Sequence, residues 1–225
     1  MWWIARPQPE ADVLVQRLTT LGIAAQATPG ICIEPLEVDH RVIMALDQFD
    51  TLIVVSKPAA RRLIDEIDHY WPQLPVGIDC IAVGPGTAQI LRDYGFAPRV
   101  PQQADSDGVL ALTQQANRVL LAAGEGGREV IEQGLADADL TRLALYRRVK
   151  GPVPIESAEV GSVNLWVTSA EIAQAVAGWQ HSIAEVWVPS ARVAEAARAV
   201  GLPVTQVLGS ASDDSFIDAV LKDRV

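Results

Sequence analysis

Short apolar runs rich in Val and Ile alternate along the chain with stretches whose apolar residues recur at helical spacing. Trp2-Trp3-Ile4, Leu52-Ile53-Val54-Val55 and Leu165-Trp166-Val167 are runs of the first kind, the continuous pattern of strands buried on both faces. Leu14, Leu18 and Leu21 stand at i, i+4 and i+7 with Gly22 after them, which reads as one buried helical stripe closed by a glycine stop. Ile90, Leu91 and Tyr94 before Gly95, and Val193, Ala197 and Val200 before Gly201, repeat that design. Alternation of this kind predicts mostly parallel sheets covered by helices on both faces.

The pattern is written twice, from residue 1 to about 114 and again, diverged, from about 118 to the end. Thr51 to Ser56 matches Asn164 to Ser169, each an apolar run ending in a serine before an Ala-rich helix. Ala82-Val83-Gly84-Pro85-Gly86-Thr87-Ala88 matches Val188 to Ala194, and Ser106-Asp107-Gly108 matches Ser212-Asp213-Asp214. The weakest pair is Ile4-Ala5-Arg6-Pro7 against Leu121-Ala122-Ala123-Gly124. A period of about 110 residues is too long for a solenoid and predicts two related α/β lobes. Each should hold about five short parallel strands in a flavodoxin-like order.

Two segments interrupt the alternation: Ile31 to Asp39, with Glu34-Pro35-Leu36-Glu37, and Leu145 to Pro154, with Arg147-Arg148 and Gly151-Pro152-Val153-Pro154. Prolines and charges suit exposed, extended connectors. The repeat fits two connectivities. Either the lobes are sequential, or the chain leaves the first near residue 36, builds the second and returns near 150.

Composition narrows the class. At 225 residues, 49% hydrophobic and 20% charged, the chain is long enough for one large or two small cores. No apolar run approaches the roughly 18 residues of a membrane span. Met1 to Pro7 lacks a basic leader and reads as a first strand, so a cytoplasmic, membrane-free protein is expected. Cys32 and Cys80 lie in apolar runs and have no Cys or His partner at ligand spacing, the setting of small hydrophobes rather than a disulfide or metal site. His40, His69 and His181 fall on polar stretches as surface residues. A net charge of −10 argues against nucleic acid, whose phosphates call for a basic surface.

Candidate chemistry sits at the carboxyl ends of the strands, where α/β sheets bind ligands and helix N-termini present unpaired N–H groups. Those ends are rich in small and hydroxyl residues: Ser56, Gly84 to Thr87, Ser106, Gly124 to Gly127, Thr168, Ser169, Ser190 and Ser212. Each serine alone is an ordinary helix cap; as a set, on two facing lobes, they suit a large polyanion. Arg6, Lys57, Arg128, Arg147 and Arg192 lie near strand ends or connectors. Gly84-Pro85-Gly86 lacks the third glycine of the dinucleotide fingerprint, and Gly124 to Arg128 lacks the Lys of a P-loop. No histidine stands at a strand end to build a Ser/His/Asp triad. No nucleotide cofactor or metal is expected.

In order and spacing these segments resemble the uroporphyrinogen-III synthase family over essentially the whole chain. The segments are Ala5-Arg6-Pro7, Val55-Ser56, Ala82 to Ala88, Ala104 to Leu110, Gly124 to Glu129, Tyr146-Arg147-Arg148, Thr168-Ser169-Ala170 and Ala211 to Asp214. The resemblance implies the swapped connectivity, with one lobe from residues 1–35 and 152–225, the other from 38–147, and connectors near 34–39 and 145–153. It implies a cyclising lyase of heme and porphyrin biosynthesis that acts as a monomer without cofactor. Linear hydroxymethylbilane would close to uroporphyrinogen III in the interlobe cleft, losing water and inverting ring D through a spiro intermediate.

The same resemblance implies site residues. Tyr146 matches the family's connector tyrosine, a candidate general acid, since a tyrosine with a reference pKa of about 10 is protonated near neutrality; a packing tyrosine is the alternative. Arg6, Ser56, Gly84, Thr87, Ser106, Gly126, Arg128, Thr168, Ser169, Ser190 and Arg192 are the expected substrate-binding set. Two positions depart from the family pattern. Ser190-Ala191-Arg192 stands where a Gly-x-x-Thr turn is common, and Ala123 where many members carry arginine. Two rivals of other classes share parts of the pattern: a non-catalytic two-lobed binding protein, and a nucleotide-sugar transferase, which needs a diphosphate site not found here.

Overall fold

The computed structural model describes residues 1–103, 105–127, 129–154, 161–179 and 183–223. The chain divides into two compact units, Met1–Ile33 with Val149–Val225, and Glu34–Arg148.

The first unit is built on β1 (Trp2–Ile4), which pairs in parallel with β2 (Ala25–Ala27) on one side and β8 (Val163–Trp166) on the other. Beyond β8 come β9 (Ile183–Val188) and β10 (Val204–Val207), giving the order β10-β9-β8-β1-β2. In chain order this is the flavodoxin-like arrangement 2-1-3-4-5. Successive strand residues face opposite sides, so the Trp-Trp pair serves two cores. Trp2 and Ile4 pack with Trp166, Trp187 and the Phe216, Ile217 and Val220 stripe of α9 (Asp213–Asp223). Trp3 packs with Leu165, Val167, Val186 and Val188 beneath α7 (Ala170–Val176) and α8 (Ala191–Ala199). Phe216 stacks on Trp166 at 4.6 Å and meets Trp2 edge-on at 5.0 Å, the offset and T-shaped geometries aromatic quadrupoles favour. Helix α1 (Glu10–Thr20) buries Ala11, Leu14 and Leu18. Leu21, expected on that stripe, is 47% exposed: the helix has ended, and Gly22 at φ +70° has turned the chain.

The second unit holds the order β3-β7-β6-β4-β5, from β3 (Ile31–Pro35), β4 (Thr51–Val54), β5 (Asp79–Ala82), β6 (Arg118–Gly124) and β7 (Asp139–Lys150). Read from β6, the run β7-β6-β4-β5 repeats the neighbour pattern of β2-β1-β8-β9, and an isolated bridge from Ile81 to Arg99 takes the place of β10. Ile53, Ile81, Val119 and Leu121 form one face under Val109 of α5 (Ser106–Leu112) and Ile131 of α6 (Val130–Gly134). The helices α2 (His40–Met44), α3 (Lys57–Tyr70) and α4 (Pro85–Tyr94) complete the unit.

At the amino ends of these strands, Asp50 accepts hydrogen bonds from the backbone N–H of Asn117 and Arg118 and from Thr51 Oγ1. Burial pushes its carboxyl pKa up, and these donors outweigh it, holding the group below its ordinary 3.8.

Of the segments expected as exposed connectors, 31–35 and 145–150 are paired strand, whereas 36–39 and 151–154 lie outside any strand, and Pro35, Glu37, Arg147, Arg148, Lys150, Pro152 and Val153 are exposed as expected. The chain passes between units within β3 and at the end of β7, neighbours in one sheet, and Ile31, Leu145 and Tyr146 are buried. Cys32 and Cys80 are free thiols. Among the described residues no helix is long and apolar enough to cross a membrane.

Candidate active site

The carboxyl ends of the strands in the second unit converge on a cavity of about 320 Å³. Its walls come from the end of β6 and the turn after it (Gly124 to Gly127), from Asp105 and Ser106 at the start of α5, and from Arg142, Tyr146 and Arg148 of β7. Strand geometry explains that last set. Positions 142, 146 and 148 share one parity and hence one face, while Leu143 and Leu145 are buried on the other.

Tyr146 is the hub. It is 2% exposed, and its Oη shares a 3.0 Å hydrogen bond with Ser56 Oγ and accepts one from Arg148 Nη2 at 3.3 Å. The Arg148 guanidinium also lies 5.8 Å from the centre of the Tyr146 ring, within cation–π range. Space for the ring comes from Gly124, where a Cβ would stand 2.7 Å from Cζ and 3.0 Å from Oη. The Glu125 N–H donates to the Tyr146 carbonyl at 2.7 Å, so the turn and the strand that carries the phenol are bonded directly.

Serine capping fixes the other strand ends. Ser56 precedes α3 and accepts from the Ala59 N–H at 3.3 Å. Ser169 and Ser190 do the same for α7 and α8, accepting from Ile172 at 3.2 Å and Val193 at 3.4 Å. Ser106 differs. Asp105 takes the cap of α5, accepting from Gly108 at 2.9 Å, and Ser106 becomes the first helical residue on the cavity wall. Gly84 stands at the N-terminus of α4, where there is no side-chain cap, and Thr87 is buried one turn in.

In the first unit, Arg6, Thr168, Ser169, Ser190 and Arg192 also occupy strand ends and helix starts. Arg6 is not an open cation: its guanidinium donates to Asp213 at 2.7 Å and to the Glu10 carbonyl at 2.6 Å, tying the end of β1 to α9 and α1. Arg192 is exposed on α8 and Thr168 half-buried. Arg128, also expected to bind substrate, lies outside the described residues. The structure therefore brings Ser56, Ser106, Gly126 and Tyr146 to one site and adds two residues the sequence pattern had not singled out as site groups, Arg142 and Arg148. Their shared parity with Tyr146 was the available signal.

Fold and site together define a two-unit parallel α/β protein whose second unit gathers hydroxyl and backbone donors at its strand ends around a buried tyrosine. Comparison with known proteins narrows this. The family model "Uroporphyrinogen-III synthase HemD" matches residues 12–218. The chain is 30% identical to the uroporphyrinogen-III synthase of Escherichia coli (strain K12), over 96% of this chain and 98% of that one. It is 28% identical to that of Salmonella typhimurium (strain LT2), over the same shares. In fold it is similar to the uroporphyrinogen-III synthetase of Helicobacter pylori 26695, with a TM-score of 0.63, 16% identity and 98% of each chain covered. A mutant uroporphyrinogen III synthase of the extremely thermophilic bacterium Thermus thermophilus gives a TM-score of 0.62 at 17% identity, over 98% of this chain and 97% of the other. The chain belongs to the uroporphyrinogen-III synthase family.

Proposed function

We propose that this protein cyclises linear hydroxymethylbilane to uroporphyrinogen III, losing one water and inverting ring D. Membership of the family supports the reaction, and the Ser56–Tyr146–Arg148 hydrogen-bonded set at the mouth of a strand-end cavity is the observation that supports its location.

The chemistry asks for control of geometry more than for a strong catalyst. Loss of the hydroxyl from an electron-rich hydroxymethylpyrrole is intrinsically easy and leaves an azafulvene. Free in water, the azafulvene is captured at the unsubstituted α-carbon of ring D, which closes the unrearranged type I ring. For type III, the substituted α-carbon of ring D must attack instead. The spiro pyrrolenine formed then fragments at the bond to ring C and recloses through the other α-carbon, with a proton lost to restore the pyrrole. Holding the carboxylates of the bilane at fixed points brings those two carbons together, a proximity effect, and shields the azafulvene from water.

In this reading Tyr146 donates a proton to the departing hydroxyl. Arg148 and Ser56 fix the phenol in place. Gly84, Thr87, Ser106, Gly126 and Arg128 of the second unit, and Arg6, Thr168, Ser169, Ser190 and Arg192 of the first, hold carboxylates, Arg6 by exchanging Asp213 for substrate; the one O–H of Ser56 is donated to Tyr146, which leaves the phenol proton for the substrate. We further propose that the protein works as a cytoplasmic monomer and needs no cofactor. The test is enzyme-dependent consumption of freshly prepared hydroxymethylbilane. Loss proportional to protein concentration, above the spontaneous rate, is expected; loss at the spontaneous rate would contradict the reading.

A further inference from the structure

Arg142 sits in the interior of β7, where a charged side chain is stable only if its N–H groups are paired. Its partners are specific: the carboxylate of Glu132 in α6, the Gly124 carbonyl at 2.8 Å, and the Gly126 carbonyl. Nη2 donates to both carbonyls of the turn after β6 while Nη1 pairs with Glu132, so the two arms of one guanidinium fork hold the turn and the carboxylate together.

Besides the Glu125 N–H bond to the Tyr146 carbonyl, the turn is shaped by its glycines. Gly126 and Gly127 adopt φ +68° and +100°, values that strain any residue with a Cβ. A Cβ built on Gly126 would have no heavy atom within 4 Å, and one on Gly127 would meet only Arg142 Nη2, at 3.9 Å. Because N–H and C=O point opposite ways across a trans peptide, drawing the Gly126 carbonyl onto Arg142 turns the Gly127 N–H away from it. That N–H has no hydrogen-bond partner among the described residues, and Gly127 lines the cavity. The guanidinium also masks the two carbonyl oxygens, which would otherwise repel an anion.

We propose that Arg142 is a positioning residue that sets the Gly124–Gly127 turn so that the Gly127 N–H receives a substrate carboxylate. The inference rests on the cyclase reading and deepens it, giving the turn its ligand and Arg142 its role. Lysine keeps the charge but offers one nitrogen in place of the two that hold Glu132 and the turn at once.

The test uses the full-length enzyme with Arg142→Lys and Arg142→Gln, measuring KM and kcat for hydroxymethylbilane beside thermal stability. Both variants are expected to raise KM by about tenfold or more while kcat stays within about threefold, the signature of lost binding rather than lost chemistry. Glu132→Gln, which leaves the two carbonyl bonds in place, is expected to raise KM less. An unchanged KM in Arg142→Lys, whatever its melting temperature or kcat, would overturn the inference. If Arg142→Gln does not fold, Arg142→Lys alone decides. Wild-type protein that leaves hydroxymethylbilane at its spontaneous rate would overturn the cyclase reading and this inference together, whereas active wild type with an unmoved KM in the variant overturns only the inference.

Discussion

The proposed chemistry turns on Tyr146, whose hydroxyl is buried in the cavity and joined to two partners. Tyr146→Phe keeps the ring against Gly124 and removes only the hydroxyl. It is expected to lower kcat about tenfold or more, in the range of lost general-acid assistance, with an unaltered circular dichroism spectrum and melting temperature. A wild-type rate would remove the acid role. The identity of this residue was visible in the sequence as a connector tyrosine, and Arg148 stands two positions on; its partner Ser56 was not visible, since it lies 90 positions away and only pairing of β4 with β6 and β6 with β7 brings the two together. Cys80 was legible from pattern alone. It is buried in β5, and that burial, with Asp79 beside it, pushes its thiol up to about 12. Thiol reagents are expected to label Cys80 only after unfolding, as mass spectrometry of native and denatured samples would show.

At the scale of the element, the hydrophobic patterns placed the main strands and helices well, because strands buried on both faces and helices with one buried stripe leave strong signals. They failed where a local competitor decided the outcome. Asp105 rather than Ser106 caps α5, and Leu21 falls just past the end of α1. The Arg142 contacts were hidden because a turn held by a side chain 16 to 18 positions away leaves no local pattern.

Two packing devices give tests at this scale. Gly124→Ala puts a methyl 2.7 Å from the Tyr146 ring, an overpacking expected to destabilise by about 1–3 kcal/mol and to lower turnover at least as much as Tyr146→Phe; steady-state rates and thermal melts check both. Asp50 joins the starts of β4 and β6 through Asn117 and Arg118. Its folded pKa lies below the ordinary 3.8, so its contribution is complete above that value and is lost as pH falls through the folded pKa. Asp50→Asn is expected to cost about 1–2 kcal/mol at neutral pH. The gap to wild type should close on acidification in pH-dependent denaturant melts; a gap independent of pH would contradict the assignment.

For the whole molecule, the repeat pattern left two connectivities open, sequential lobes or exchanged ones, since strand–helix alternation reads the same in both. In the structure the strands β1 and β2 join β8, β9 and β10 in one sheet, and β6 and β7 join β4 and β5 in the other. Return of the chain to the first unit depends on Gly151, whose N–H donates to the Gly30 carbonyl at 2.8 Å and whose added Cβ would stand 1.8 Å from the Pro29 carbonyl oxygen. Gly151→Ala must move backbone, and is expected to destabilise by about 2 kcal/mol or more, read as a lowered denaturation midpoint.

The proposed reaction directs the bilane to the rearranged ring. The measurement that reaches it most directly is the ratio of type III to type I porphyrin, separated by chromatography after oxidation of the products formed from fresh hydroxymethylbilane. Predominantly type III product is the expected result; the type I product of the protein-free control would contradict the account.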